Sequence, residues 1–261
     1  MKTCGFFFTI LLLGMAGALA AQSSPPEGWK LLWADEFDGP ELGKVWRFSE
    51  GANGWGNGEL ENYTTLKENV RIEDGHLTIE ARKTDGSPQY TSGRISTHFG
   101  FAFTYGRVEA KMKIPQTQGL WPAFWMLGDT NSKSWPACGD IDIMEAVGKN
   151  PNLLYGTAHG PGYSGGKGIG KTYLSPTSIS DDWHVVAVEW EPAEIRWYFD
   201  GQLYHTMTPA DLPKGKKWVF DHDFYLLINL AVGGGFPDYP NETSVFPQQF
   251  QIDYVRIYQR E

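Results

Sequence analysis

The sequence predicts an all-β protein, a sandwich of two curved antiparallel sheets, of which the jelly-roll is one form. Three observations predict it. Apolar and polar residues alternate in many short runs, the pattern of strands that bury one face. Turn residues recur roughly every 8 to 12 positions between those runs. No long segment past the first twenty residues carries a helical period.

Residues 1–20 read as a secretory signal. Lys2 gives the positive end, Gly5 to Ala16 the apolar run, and Ala18-Leu19-Ala20 the small-residue cleavage site. That run is too short and too early for a membrane span. Residues 21–27 form a short polar leader, and 28–261 are expected to be a single domain. The pattern predicts a secreted or periplasmic protein. The first strand runs from Trp29 to Phe37, and Val45 to Phe48 follows. Gly51 to Glu59 is a Gly/Asn-rich loop carrying Trp55 and Asn57. Such loops adopt unusual dihedrals and often carry function, although a long turn has the same composition.

Val70 to Glu73 and His76 to Ala81 flank Asp74-Gly75, a strong hairpin signal. Tyr90 to Thr97 alternates, with Arg94 and Ser96 on one face. Gly106 to Ile114 reads as a half-solvated strand, and Leu120 to Leu127 as a central one. Leu154 to His159, His184 to Trp190 and Ile195 to Phe199 are strands. Asp200-Gly201 turns the chain into Gln202 to Met207. Asp211 to Trp218 is expected as an exposed loop. Phe224 to Val232 is a buried strand with one polar residue, Asn229. A loop from Gly233 to Asp238 and a last strand from Phe250 to Gln259 complete the order.

The net charge of −9 opposes nucleic acid and anionic membranes as partners, because their phosphates attract basic patches. Eleven Trp, 12 Tyr and 15 Phe exceed what a core alone requires. Aromatic rings with an apolar face and a polar tip suit stacking on sugars. A neutral partner, such as a polysaccharide, fits this charge better, and the chain is expected to be a monomer. Cys4 lies in the signal, so Cys138 is left alone and no internal disulfide forms. Nothing beside Cys138 would lower its pKa, which argues against a thiolate nucleophile.

The chemistry concentrates in Trp135-Pro136-Ala137-Cys138-Gly139-Asp140-Ile141-Asp142-Ile143-Met144-Glu145. On a strand Asp140 and Asp142 share one face, while Glu145 is out of phase by one residue. A β-bulge at Ile143-Met144 would return Glu145 to that face. Three crowded carboxylates repel one another, so at least one pKa rises. A carboxylic acid that stays protonated beside an ionised one is what glycoside hydrolysis uses. A charged strand edge and a metal site are the competing readings. On its residues alone His159 reads more readily as a core or cleft-edge histidine than as a catalytic one. Trp121 and Trp125, four apart on one strand face, suit core packing as well as sugar stacking. Asn229 needs a hydrogen-bond partner wherever it points. Asn62-Tyr63-Thr64 and Asn241-Glu242-Thr243 are glycosylation sequons.

The acidic stretch resembles the signature of glycoside hydrolase family 16, laminarinase type, in which Glu-Ile-Asp-Ile-Met-Glu follows Trp-Pro and Gly. Supporting segments span nearly the whole chain. They include Trp55-Gly56-Asn57-Gly58-Glu59, Leu120 to Gly128, Gly156-Thr157-Ala158-His159-Gly160, Ile228 to Gly234 and Asp253-Tyr254-Val255-Arg256. The resemblance implies a jelly-roll with a concave substrate cleft and retaining hydrolysis of internal β-1,3 bonds in laminarin-type glucans. It places Glu145 at the acid/base position and Asp142 at the assisting carboxylate. It places Asn57, Arg94, Trp121, Trp125, Trp135, His159 and Asn229 along the sugar subsites. No cofactor is required for such chemistry. A structural calcium is implied, with Glu36, Gly75 and Asp253 as candidates.

One position departs from the family. Asp140 stands where the nucleophilic Glu is expected, and loss of a methylene withdraws the carboxylate by about 1 Å. A β-glucan-binding protein with weak turnover is therefore the alternative expectation. Mixed-linkage glucan and galactans are alternative polymers.

Overall fold

The computed structural model describes residues 25–129 and 133–261. The signal and the first four residues of the leader lie outside the described residues. The chain forms β1 (Trp29–Asp35), β2 (Arg47–Phe48), β3 (Glu61–Tyr63), β4 (Val70–Glu73), β5 (His76–Lys83) and β6 (Tyr90–Ser92). It continues through β7 (Arg94–Ser96), β8 (Gly106–Lys113), β9 (Leu120–Gly128), β10 (Asp140–Ala146), β11 (Leu153–His159) and β12 (Ile169–Leu174). The last strands are β13 (His184–Glu191), β14 (Glu194–Phe199), β15 (Gln202–Met207), β16 (Phe224–Val232) and β17 (Gln248–Arg260). Among the described residues helix is confined to two short 3-10 turns, Gly165–Lys167 and Pro209–Asp211. Among the described residues no helix is long and apolar enough to cross a membrane.

Two sheets face each other. One has ten strands, in the order β15-β14-β13-β8-β17-β5-β6-β3, with β1 added to β17 and β4 to β5. The other has seven, in the order β12-β11-β10-β9-β16-β7-β2. Pairing is antiparallel except between β3 and β6. The core fills the gap, because alternate residues of each strand point into it. Val108, Ala110 and Met112 of β8 meet Phe124 and Met126 of β9, Ile141 of β10 and Ile228 of β16 in one buried cluster. The outer face of the ten-stranded sheet carries paired charges instead. Arg107 bridges Glu109 and Glu189, and Arg196 bridges Glu189.

The hairpin at Asp74-Gly75 forms as its turn residues predict, with both at positive φ. The run expected as one strand from Tyr90 to Thr97 is two. It breaks at Gly93, β6 pairing with β3 and β5, and β7 with β16 and β2. The chain crosses between sheets here with Gly93 pressed into the interior. A Cβ on it would lie 2.3 Å from Val70 Cγ2. The first strand ends at Asp35, before Phe37 turns to a φ of 52°. β3 and β12 are additions that alternation did not mark.

Candidate active site

Six strands of the smaller sheet and four loops build one cleft of about 1320 Å³. Alternation on β9 decides its floor. Trp121, Ala123, Trp125 and Leu127 face the cleft, while Leu120, Phe124 and Met126 are fully buried in the core.

β10 supplies the acids. Asp142 pairs with Trp125 of β9, but the next partner of β9, Phe124, is met by Met144 rather than Ile143. The same slip appears against β11, between Asp142 and Glu145. This is the bulge that the phase of Glu145 required, and it brings Asp140, Asp142 and Glu145 to the same cleft. Ile143 and Met144 are both fully buried on the other side. Across the core, the Trp197 indole of β14 donates to the Asp142 carbonyl at 2.8 Å, just where the ladder slips.

Three side chains orient the carboxylates. Trp121 Nε1 donates to Glu145 Oε1 at 2.9 Å, and Trp135 Nε1 to Asp140 Oδ2 at 3.0 Å. His159 Nε2 lies 3.0 Å from Asp142 Oδ2. All three acids are buried, and burial is the first cause of a rise in each pKa. Asp142 is pushed up to about 7. Asp140 stands well above the usual carboxylate range, with the Asp142 charge adding to desolvation and His159, Trp135 and Arg94 opposing it. Glu145 is likewise high, through burial and then the charges of Asp142 and Asp140, opposed by His159 and the Trp121 hydrogen bond. Such a row holds protons near neutral pH as a unit.

The residues expected at the sugar subsites converge on this cleft: Asn57, Arg94, Trp121, Trp125, Trp135, His159 and Asn229 all line it. Arg94 is sandwiched between the indoles of Trp55 and Trp125, 4.9 Å from each ring centroid. Trp125 Nε1 donates to Asn229 Oδ1 at 2.8 Å, which gives the lone amide of β16 its partner. Trp135 is half exposed on the rim.

Other lining residues were not expected. Phe236 stands edge-on to Trp121 and Tyr155, at centroid distances of 5.4 and 5.1 Å. Its only sequence signal is the Gly233 to Asp238 loop. Glu59, Tyr155 and Thr157 also line the cleft, as do glycines at 165, 166, 168 and 170. Gly168 leaves room for His159, whose ring would lie 2.3 Å from a Cβ there.

Asp140, Asp142 and His159 offer ligand atoms within 4.8 Å of one another and could hold a metal ion. The direct contact between His159 and Asp142 accounts for their placement without one. The calcium candidates lie away from the cleft. Both oxygens of Glu36 accept from Arg256 at 2.8 Å, and Asp253 Oδ2 accepts from Lys111 at 2.7 Å. A calcium cage takes roughly six to eight oxygens, and in this structure both of these carboxylates are paired with cationic side chains. Gly75 sits in the β4–β5 turn with φ 75°. Cys138 is buried, and burial pushes its thiol up to about 11, so it is no nucleophile.

The description "Glycosyl hydrolases family 16" matches residues 57–256. The chain belongs to this family. It is 39% identical to a "Beta-glucanase" of Rhodothermus marinus, covering 99% of this chain and 94% of that one. The laminarinase catalytic domain of Thermotoga maritima superposes with a TM-score of 0.86 at 46% identity, over 90% of this chain and 100% of that one. The endo-β-1,3-glucanase of Pyrococcus furiosus gives 0.85 at 45%, over 89% and 95%. The chain is thus a glycoside hydrolase of laminarinase type with a jelly-roll fold.

Proposed function

We propose that this hydrolase is a secreted, monomeric endo-β-1,3-glucanase acting on laminarin-type polymers. The observation that carries the reading is the row of three buried carboxyls, each oriented by an indole or imidazole, on the floor of an aromatic cleft. Glu145, kept protonated by burial and by its neighbours' charges, gives its proton to the departing glycosidic oxygen. Asp140 acts at the anomeric carbon. As nucleophile, it forms a glycosyl ester, and Glu145, now ionised, takes a proton from the water that cleaves it. As base, it takes the proton from a water that attacks directly and inverts the centre. Retention asks for carboxyls about 5–5.5 Å apart and inversion for about 6.5–9.5 Å. The shorter side chain of Asp140 moves the pair toward the larger spacing. Asp142 and His159 hold the charge between them.

Purified protein mixed with laminarin is expected to release reducing ends. Glu145→Gln should lower the rate by about a hundredfold to ten-thousandfold. A wild type no faster than that variant removes the enzymatic reading. Product anomers followed by NMR decide between the two courses for Asp140.

A second reading rests on Asp140 alone: a glucan-binding protein with slow turnover. Displacing a reacting group by about 1 Å costs on the order of a hundredfold. Under this reading Asp140→Glu raises kcat by about that factor while laminarin affinity stays. Equal or lower activity in Asp140→Glu counts against it.

A further inference from the structure

A second pair of acids lies beside the cleft, apart from the row on β10. Glu61 of β3 is fully buried, and Glu59, eight per cent exposed, lines the cleft wall. The two carboxyls are near enough that Glu59, after burial, raises the pKa of Glu61. Two ionised carboxylates in contact and out of water would repel strongly, so the pair keeps one proton.

The surrounding donors decide where it sits. Glu59 Oε1 accepts from Asn57 Nδ2 at 2.8 Å, and Glu59 Oε2 accepts from the Tyr63 hydroxyl at 3.1 Å. Each oxygen of Glu59 thus already accepts from a donor. Glu61 Oε2 accepts the Val232 amide at 2.7 Å, whereas no protein donor reaches Glu61 Oε1. A buried oxygen with no donor beside it is the natural seat of the proton. The polarity then runs on without conflict. Tyr63 spends its proton on Glu59, its oxygen accepts from Asn229 Nδ2 at 3.2 Å, and Asn229 Oδ1 accepts from Trp125 Nε1 at 2.8 Å.

We propose that Glu61 is a positioning residue of the cleft: as a neutral carboxylic acid it donates to Glu59 and thereby fixes the hydrogen-bond chain that holds Asn57, Asn229 and Trp125 against the sugar. The proposal deepens the glucanase reading and rests on it for the identity of the sugar. Burial, then the Glu59 charge, raise the Glu61 pKa to about 9. The ionisable groups facing this cluster are Glu59 and Tyr63, with Arg94 acting on Tyr63, and Tyr90 is its backbone partner on β6.

The test uses Glu61→Gln, which keeps shape and a donor, and Glu61→Ala, which keeps neither. Glu61→Ala should raise KM for laminarin about tenfold with kcat changed less, by leaving buried groups unpaired. Glu61→Gln should restore most of that loss. In a Glu145→Gln background, laminarin affinity should fall as pH rises through about 9, and Glu61→Gln should remove that fall. Equal loss in the Gln and Ala variants, or an unchanged KM in Glu61→Ala, overturns the proposal.

Two readouts need no sugar, so they hold even if laminarin is the wrong polymer or Glu61→Ala does not fold. The infrared difference spectrum, wild type minus Glu61→Gln at neutral pH, should contain a protonated carboxyl band. The native state keeps a proton that the unfolded chain sheds from its ordinary value of 4.5 upward, so Glu61 costs stability increasingly as pH rises to about 9. Glu61→Gln should therefore gain in Tm over wild type across that window. A missing band, or a Tm difference that does not change with pH, equally overturns it.

Discussion

Asp142 illustrates how one side chain sets the chemistry of two others. Its charge raises the pKa of both Asp140 and Glu145, in addition to the desolvation each suffers. Under the proposed mechanism, a raised Asp140 delays the ionised form that would act at the anomeric carbon, and a raised Glu145 extends the protonated form that would serve the leaving group. Replacing Asp142 with Asn removes that repulsion, so both groups titrate at lower pH. The kcat/KM profile of Asp142→Asn should shift to the acid side on both limbs, measured on laminarin across the pH range. His159 would lose its anionic neighbour in the same variant. Much at this scale was legible. The alternation of acids and isoleucines put Asp140 and Asp142 on one face, and the family pattern placed Asn57, Arg94, Trp121, Trp125 and Asn229 where the cleft now has them. Glu61 was not legible. A Glu in a polar segment gives no sign of being enclosed until the strands around it are known.

Among the elements, β10 and the β6–β7 crossing carry the most consequence. The phase of Glu145 against Asp142 demanded an extra residue, and the register confirms one. Parity along a strand is visible in sequence, so this irregularity was too. The break at Gly93 was not, because a run that changes sheets keeps its alternation. Only packing tells the two cases apart. The carbonyl of Gly93 accepts from Leu230, and Ser92 Oγ donates to the Leu230 carbonyl, so both sides of the crossing are tied to β16. Gly93→Ala would force a methyl against Val70 Cγ2 at 2.3 Å and Ile79 Cγ2 at 3.0 Å. We expect a loss of about 1–3 kcal/mol in chemical denaturation. Arg94 follows directly, so KM should rise as well. β3 is too short for a period to show, and β12 is broken by Gly170 at the edge of its sheet.

At the scale of the molecule, the sandwich gives one sheet to solvent charge and the other to sugar. The outer face of the ten-stranded sheet is laced with arginine–glutamate pairs, while the cleft crosses the seven-stranded sheet from the Trp55 loop to Lys171 and Thr172 on its edge strand. A groove reaching the border of its sheet receives the middle of a polymer as readily as its end. The viscosity of a soluble β-1,3-glucan should therefore drop early, while few reducing ends have appeared. Reducing ends that accumulate while the viscosity barely changes would instead mean attack from chain termini. Fold class came from the turns and the alternation, but strand order did not, since pairing partners lie far apart in the chain. The indole of Trp197 belongs to the sheet that never meets substrate, yet it grips the backbone of β10 between two acids. Turnover is thereby leashed to the far layer. A laboratory selecting for faster variants can find them among residues that no glucan will ever touch.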